Sequence, residues 1–186
     1  MTEFTFVINH QTITNLAESA GVLHHMDEPM AGWRVLVGLL KPGGLMSIGL
    51  YSESARQHIV EARKTIASLG IGASATEIRN FRELSTDSEL FDVKQLSTFS
   101  DFFSLSEFRD LIFHVPEHRF TLPQIKICLD GLGLKFCGFE NKDIVSNFRE
   151  LHGKEVDIYD LELWHQFEER NPTAFAGMYQ FWCQKP

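Results

Sequence analysis

The sequence predicts an α/β domain whose core is a sheet with parallel strands, and three observations carry this. Leu16 to Leu23 is a short apolar run with small residues, suited to a buried parallel strand. Leu45 to Tyr51 is mostly apolar with no polar face, as in a strand covered by helices on both sides. Between them Met30, Trp33, Val37 and Leu40 recur at helical spacing. A strand, helix and strand joined this tightly form a parallel unit with a right-handed crossover.

The elements follow in order. Phe4 to Ile8 reads as a strand from its aromatic and β-branched content, and a polar stretch leads on to Leu16–Leu23, which ends at the pair His24-His25. Asp27 is expected to cap the first helix, with Pro29 in its first turn, and Lys41-Pro42-Gly43-Gly44 to stop it. Ser52 or Ser54 is expected to cap the next helix, where Ile59, Ala62, Ile66 and Leu69 form the stripe and Gly70 terminates it. A further helix spans about Thr76 to Leu84, and Ser85 to Ser100 reads as a partly helical loop.

Ser104 with Glu107, and Thr121 with Gln124, each have capping-box spacing ahead of an apolar face. Pro116 interrupts the first of these helices. Gly131 and Gly133 end the second, and Leu134 to Phe139 returns to strand. An insertion between Asn141 and Pro172 contains a helix carrying Leu161, Trp164 and Phe167, and Met178 to Gln184 is the last strand. Trp164, Tyr179 and Trp182 are expected in the core.

With 186 residues, 44% hydrophobic and 23% charged, the chain fits one domain: residues 1–51 as strands and crossover helix, 52–120 as a helical insertion, and 121–186 as a helix with the last strands. A net charge of −8 would repel a phosphate backbone and points away from nucleic acid. Cys128, Cys137 and Cys183 are odd in number and set in apolar stretches, so they read as reduced thiols of a cytoplasmic protein. No apolar run approaches the roughly 20 residues of a membrane helix, and Met1 to His10 lacks a leader pattern, so a soluble protein that is not exported is expected.

Gly21-Val22-Leu23-His24-His25-Met26, then Asp27 and Pro29, then Leu40-Lys41-Pro42-Gly43-Gly44, resembles the fourth strand, following helix and fifth-strand entry of a class I S-adenosylmethionine-dependent methyltransferase. Gly49 to Glu53 with Ala55-Arg56, Arg109 to Val115 with Glu117 to Phe120, and Gly177 to Trp182 are similar to a methyltransferase group often attached to tetratricopeptide repeats in bacterial proteins. The likeness runs from Leu16 to the end. It implies a partial Rossmann-like sheet, parallel strands plus an antiparallel carboxyl-terminal strand, with helical insertions.

In that superfamily a glycine-rich turn after the first strand grips the cofactor, and the sheet order is three-two-one-four-five-seven-six. Before Gly21 there is no glycine, so the chain reads as a fragment lacking the cofactor-gripping half. Its fourth strand would then have an open edge, which invites pairing by Phe4 to Ile8 or by a second chain, including another copy.

The resemblance implies that Gly21, Val22, Leu23, His24 and His25 border the methionine moiety of S-adenosylmethionine; the histidine rings could equally satisfy loop carbonyls. Tyr51 faces the same rim and could orient an acceptor or simply pack. His114-Val115-Pro116-Glu117-His118 has the H-x-x-E-H spacing of a zinc peptidase family, but Pro116 breaks the helix that would hold both histidines on one metal. The better reading is a loop that brings His114, Glu117, His118 or Arg119 to an acceptor, a small molecule, glycan or protein side chain, with a histidine as general base.

Overall fold

The computed structural model describes residues 13–86, 100–113 and 117–186, so the expected strand Phe4–Ile8 and His114 lie outside the described residues. The chain divides into two compact units, Met1–Ser54 with Glu117–Pro186, and Ala55–Pro116.

The first unit is built on a sheet in the order β1-β2-β5-β4: β1 (Thr14–Ala20), β2 (Leu40–Ser52), β5 (Tyr179–Gln184) and β4 (Lys135–Phe139), with the short β3 (Arg119–Phe120) beside the end of β2. β1 and β2 run parallel, with Ser19 opposite Ile48 and Ala20 opposite Gly49, as the β-α-β reading requires. β5 is antiparallel to both β2 and β4. The helices are α1 (Pro29–Leu39), α5 (Leu122–Leu132), α6 (Lys142–His152) and α7 (Leu161–Arg170). The stretch read as an insertion with one helix therefore holds two. The missed one, α6, is capped by Asn141, whose side chain accepts the Asp143 and Ile144 N–H groups.

Several local expectations change. β1 ends at Ala20, not Leu23, because Gly21 turns the chain at φ +74 and Leu23–His25 closes a 3₁₀ turn. Only Ser19 of β1 is buried, so it is an edge strand among the described residues, not a covered one. Glu28, not Asp27, precedes α1, and no side chain caps that end; Pro29 needs no N–H partner there. Lys41-Pro42-Gly43-Gly44 is no loop between elements. Thr14 faces Leu40 and Leu16 faces Leu45, so these four residues bulge opposite Asn15 alone. A Cβ on Gly44 would lie 2.8 Å from the Lys41 carbonyl oxygen, which explains the glycine. Lys185 then closes α1 from the far end of the chain, its Nζ donating to the carbonyls of Val37 (3.0 Å) and Leu40 (2.9 Å).

The core of this unit joins Trp33 of α1, Met46, Ile48 and Leu50 of β2, Ile125 and Leu129 of α5, and an aromatic cluster in which Trp164 stacks on Phe148 at 3.8 Å. Both halves of the Thr121–Gln124 capping box form: the Gln124 N–H donates to Thr121 Oγ1 (3.3 Å), and the Thr121 N–H donates to Gln124 Oε1 (2.9 Å). Thr121→Ala is expected to cost about 1 kcal/mol, read from urea unfolding with an unchanged m-value. Gly133 ends α5 in the left-handed conformation, φ 66, as the glycine pattern predicts.

The second unit is helical: α2 (Gln57–Ser68), α3 (Ala75–Thr86) and α4 (Leu105–Phe113), with a 3₁₀ turn at Ser100–Phe103. Ile59, Ala62, Ile66, Ile78, Phe81, Phe108 and Leu111 form its core, whereas Leu69, expected in the stripe, is exposed. Arg56 occupies the N-cap of α2 with no side-chain cap bond, so neither serine caps this helix. Arg63 donates twice to the Leu111 carbonyl, at 2.6 and 3.1 Å, and satisfies a group that the end of α4 leaves open. Of the Ser104–Glu107 box, only the bond from the Glu107 N–H to Ser104 Oγ forms, at 3.4 Å. No helix of the described residues is long and apolar enough to cross a membrane.

Candidate functional site

In open α/β sheets ligands bind outside the carboxyl ends of the parallel strands, and here that end is where β1 passes into the 3₁₀ turn and β2 reaches Tyr51 and Ser52. A Cβ on Gly21 would meet nothing within 4 Å, so this glycine serves the backbone turn rather than a close approach. The turn buries Leu23 in the core, leaves Val22 exposed, and folds His24 inward with no exposed surface. The His24 ring stacks on Tyr51 with centroids 3.7 Å apart and planes 29° apart. His25, exposed, meets His24 edge-on at 4.4 Å and Tyr51 at 5.7 Å. Three residues picked out in the sequence thus form one aromatic group.

The segment after residue 116 joins them through its backbone. The His118 N–H donates to the His24 carbonyl (2.8 Å), and β3 pairs in parallel with the end of β2, Tyr51 opposite Arg119 and Ser52 opposite Phe120. Arg119 Nε donates to Glu53 Oε2 at 2.9 Å and its Nη1 lies 3.6 Å from Glu117 Oε1. The Glu117 side chain is only 3% exposed, so that neighbouring cation offsets part of the cost of burying a carboxylate. Among the described residues no three His, Cys, Asp or Glu side chains are grouped to hold a metal ion.

Beneath this rim lies a cluster that sequence reasoning missed. Ser52 Oγ donates to Glu168 Oε1 (2.6 Å), and Tyr179 OH approaches both Glu168 oxygens at 2.7 Å. All three residues are buried. Burial pushes the Glu168 carboxyl above its ordinary range, while the Ser52 and Tyr179 hydroxyls and nearby His165 pull it partly back. Burial, then the adjacent Glu168, pushes the Tyr179 phenol up as well. A signal was present: Glu168 follows Leu161 and Trp164 at helical spacing, inside the apolar stripe of α7, where an acid needs partners. In the sequence Ser52 looks like a helix cap and Tyr179 like a plain core aromatic.

No family model matches the chain. An uncharacterised Synechococcus protein, syc1184_c, is 28% identical over 131 residues, 66% of this chain and 31% of that protein. Among solved structures, PKMT2 from Rickettsia typhi superposes with a TM-score of 0.62 at 13% identity, covering 96% of this chain and 36% of PKMT2. The chain shares the fold of the part of PKMT2 that it covers. The same PKMT2 in complex with AdoHcy matches at a TM-score of 0.59 and 14% identity, with the same coverage. The chain therefore spans about a third of the length of the relatives it matches.

Proposed function

We propose that the chain is the carboxyl-terminal half-sheet of an S-adenosylmethionine-dependent methyltransferase, active only when a second α/β segment, in the same polypeptide or in trans, supplies the glycine-rich turn. The supporting observation is the strand order β1-β2-β5-β4, with β1 and β2 parallel and β5 antiparallel. That order agrees with the four-five-seven-six half expected of the superfamily's sheet. The AdoHcy complex of PKMT2 supports the choice of cofactor.

In this reading the turn from Gly21 to His25 forms one wall beside the cofactor's methionine moiety. Tyr51 orients the acceptor, and the segment carrying Glu117 and His118 supplies a proton acceptor. The cofactor, when bound, would supply the methyl group, and the task of the chain's own residues is to position the acceptor in line with it and take the acceptor's proton, with no covalent enzyme intermediate. The acceptor is a small molecule or a protein group. Three free cysteines fit a reducing, cytoplasmic compartment.

Calorimetry with AdoHcy tests this. The chain alone is expected to give no binding heat, and a polypeptide joining it to a glycine-rich α/β segment is expected to bind in the micromolar range. A longer polypeptide with no binding overturns the reading.

A second reading, a non-catalytic binding or oligomerisation module, is favoured by the edge of β1, where Ile13 (64%), Leu16 (49%) and Val22 (56%) are exposed. Under it the chain self-associates in sedimentation and Leu16→Lys abolishes the association. Micromolar AdoHcy binding by the chain alone defeats it.

A further inference from the structure

The buried acid at the end of β2 is physically costly, and its place in the fold says what it does. Tyr179 opens β5 opposite Leu50, Ser52 closes β2, and Glu168 lies near the end of α7. Three elements that meet at the ligand end of the sheet are therefore held by one carboxylate. A close-packed apolar trio of similar volume would generally be as stable or more so, because a buried charge forfeits its hydration. What a carboxylate adds is direction: two hydroxyl donors at 2.6 and 2.7 Å leave Ser52 and Tyr179 one arrangement. Ser52 is flanked in sequence by Tyr51, whose ring lies on His24, and by Glu53, whose carboxylate holds Arg119.

We propose that Glu168 is a positioning residue for the ligand rim: by gripping Ser52 and Tyr179 together it fixes the end of β2, and so keeps Tyr51 stacked on His24 and Glu53 on Arg119. The rim's role as a ligand site rests on the methyltransferase reading; the positioning itself is a matter of geometry.

The test uses the full chain and its histidine ring signals in NMR spectra. The Tyr51 ring shifts the His24 signals, and Tyr51→Leu sets the value without the stack. Glu168→Gln, nearly isosteric, is expected to move the His24 signals most of the way to that value, Glu168→Asp to restore them in part, and Ser52→Ala to move them while the fold survives. Where Glu168→Gln fails to fold, Ser52→Ala decides, since it removes only one arm. His24 signals that stay at the wild-type value in the folded variants, with only the melting temperature lowered, overturn the proposal.

AdoHcy calorimetry on the longer polypeptide separates the two ideas. Glu168→Gln is expected to weaken binding about tenfold, the equivalent of roughly 1.4 kcal/mol. Shifted His24 signals without AdoHcy binding by the wild type uphold the positioning and sink the methyltransferase reading. Unshifted signals with undiminished binding do the reverse.

Discussion

Trp164→Ala should lower the free energy of unfolding by about 3–5 kcal/mol, a large part of the 5–15 kcal/mol typical of a domain. Trp164 has no exposed surface and occupies the centre of the aromatic cluster, stacked on Phe148 at 3.8 Å and edge-on to Phe139 at 4.8 Å and Phe167 at 5.6 Å. Its Nε1 donates to the Ile158 carbonyl at 2.9 Å. Truncation therefore opens a cavity and removes a donor from a part-buried carbonyl in one step. Urea unfolding followed by circular dichroism measures the loss. A change below about 1 kcal/mol, as at an exposed site, would show that α6 and α7 do not depend on this contact.

Glu168→Ala is expected to have the next largest effect. It removes the acceptor that the buried Ser52 and Tyr179 hydroxyls share, a loss of about 1–3 kcal/mol. Glu168→Gln should behave differently, and pH reveals how. The Glu168 carboxyl is raised above the ordinary 4.5 in the folded chain, so between 4.5 and the folded-state value the native state holds more protons than the unfolded one. The stability this group contributes is complete below 4.5 and declines as pH rises through the folded-state value. Glutamine does not titrate, so the wild type should lose stability relative to Glu168→Gln as pH rises across that window. Parallel stability curves for the two proteins would contradict the raised carboxyl.

Much of this architecture is legible residue by residue. The apolar run Leu45–Tyr51, the stripe of α1 and the Thr121–Gln124 box each encode an element locally, because burial on one face and satisfaction of helix-end groups need only near neighbours. The same logic misplaced what depends on distant partners. Ser52 has the chemistry of a helix cap, but its partner is Glu168, 116 residues away. The glycines after Lys41 look like a helix stop, yet the register with Asn15 turns them into a bulge inside β2. The candidate site was partly visible, since His24, His25 and Tyr51 stand at strand ends, but their mutual stacking was not.

The sequence by itself determined that the chain forms parallel strands joined by an amphipathic helix, and that Thr121 with Gln124 caps the helix starting at Leu122. Only the tertiary structure decided that His24 lies on Tyr51, that the segment at Glu117–Arg119 joins that rim, and that a buried glutamate fastens the end of β2. The physical reason is that periodicity records which face of an element is buried, whereas strand register and helix docking select the partner it meets there.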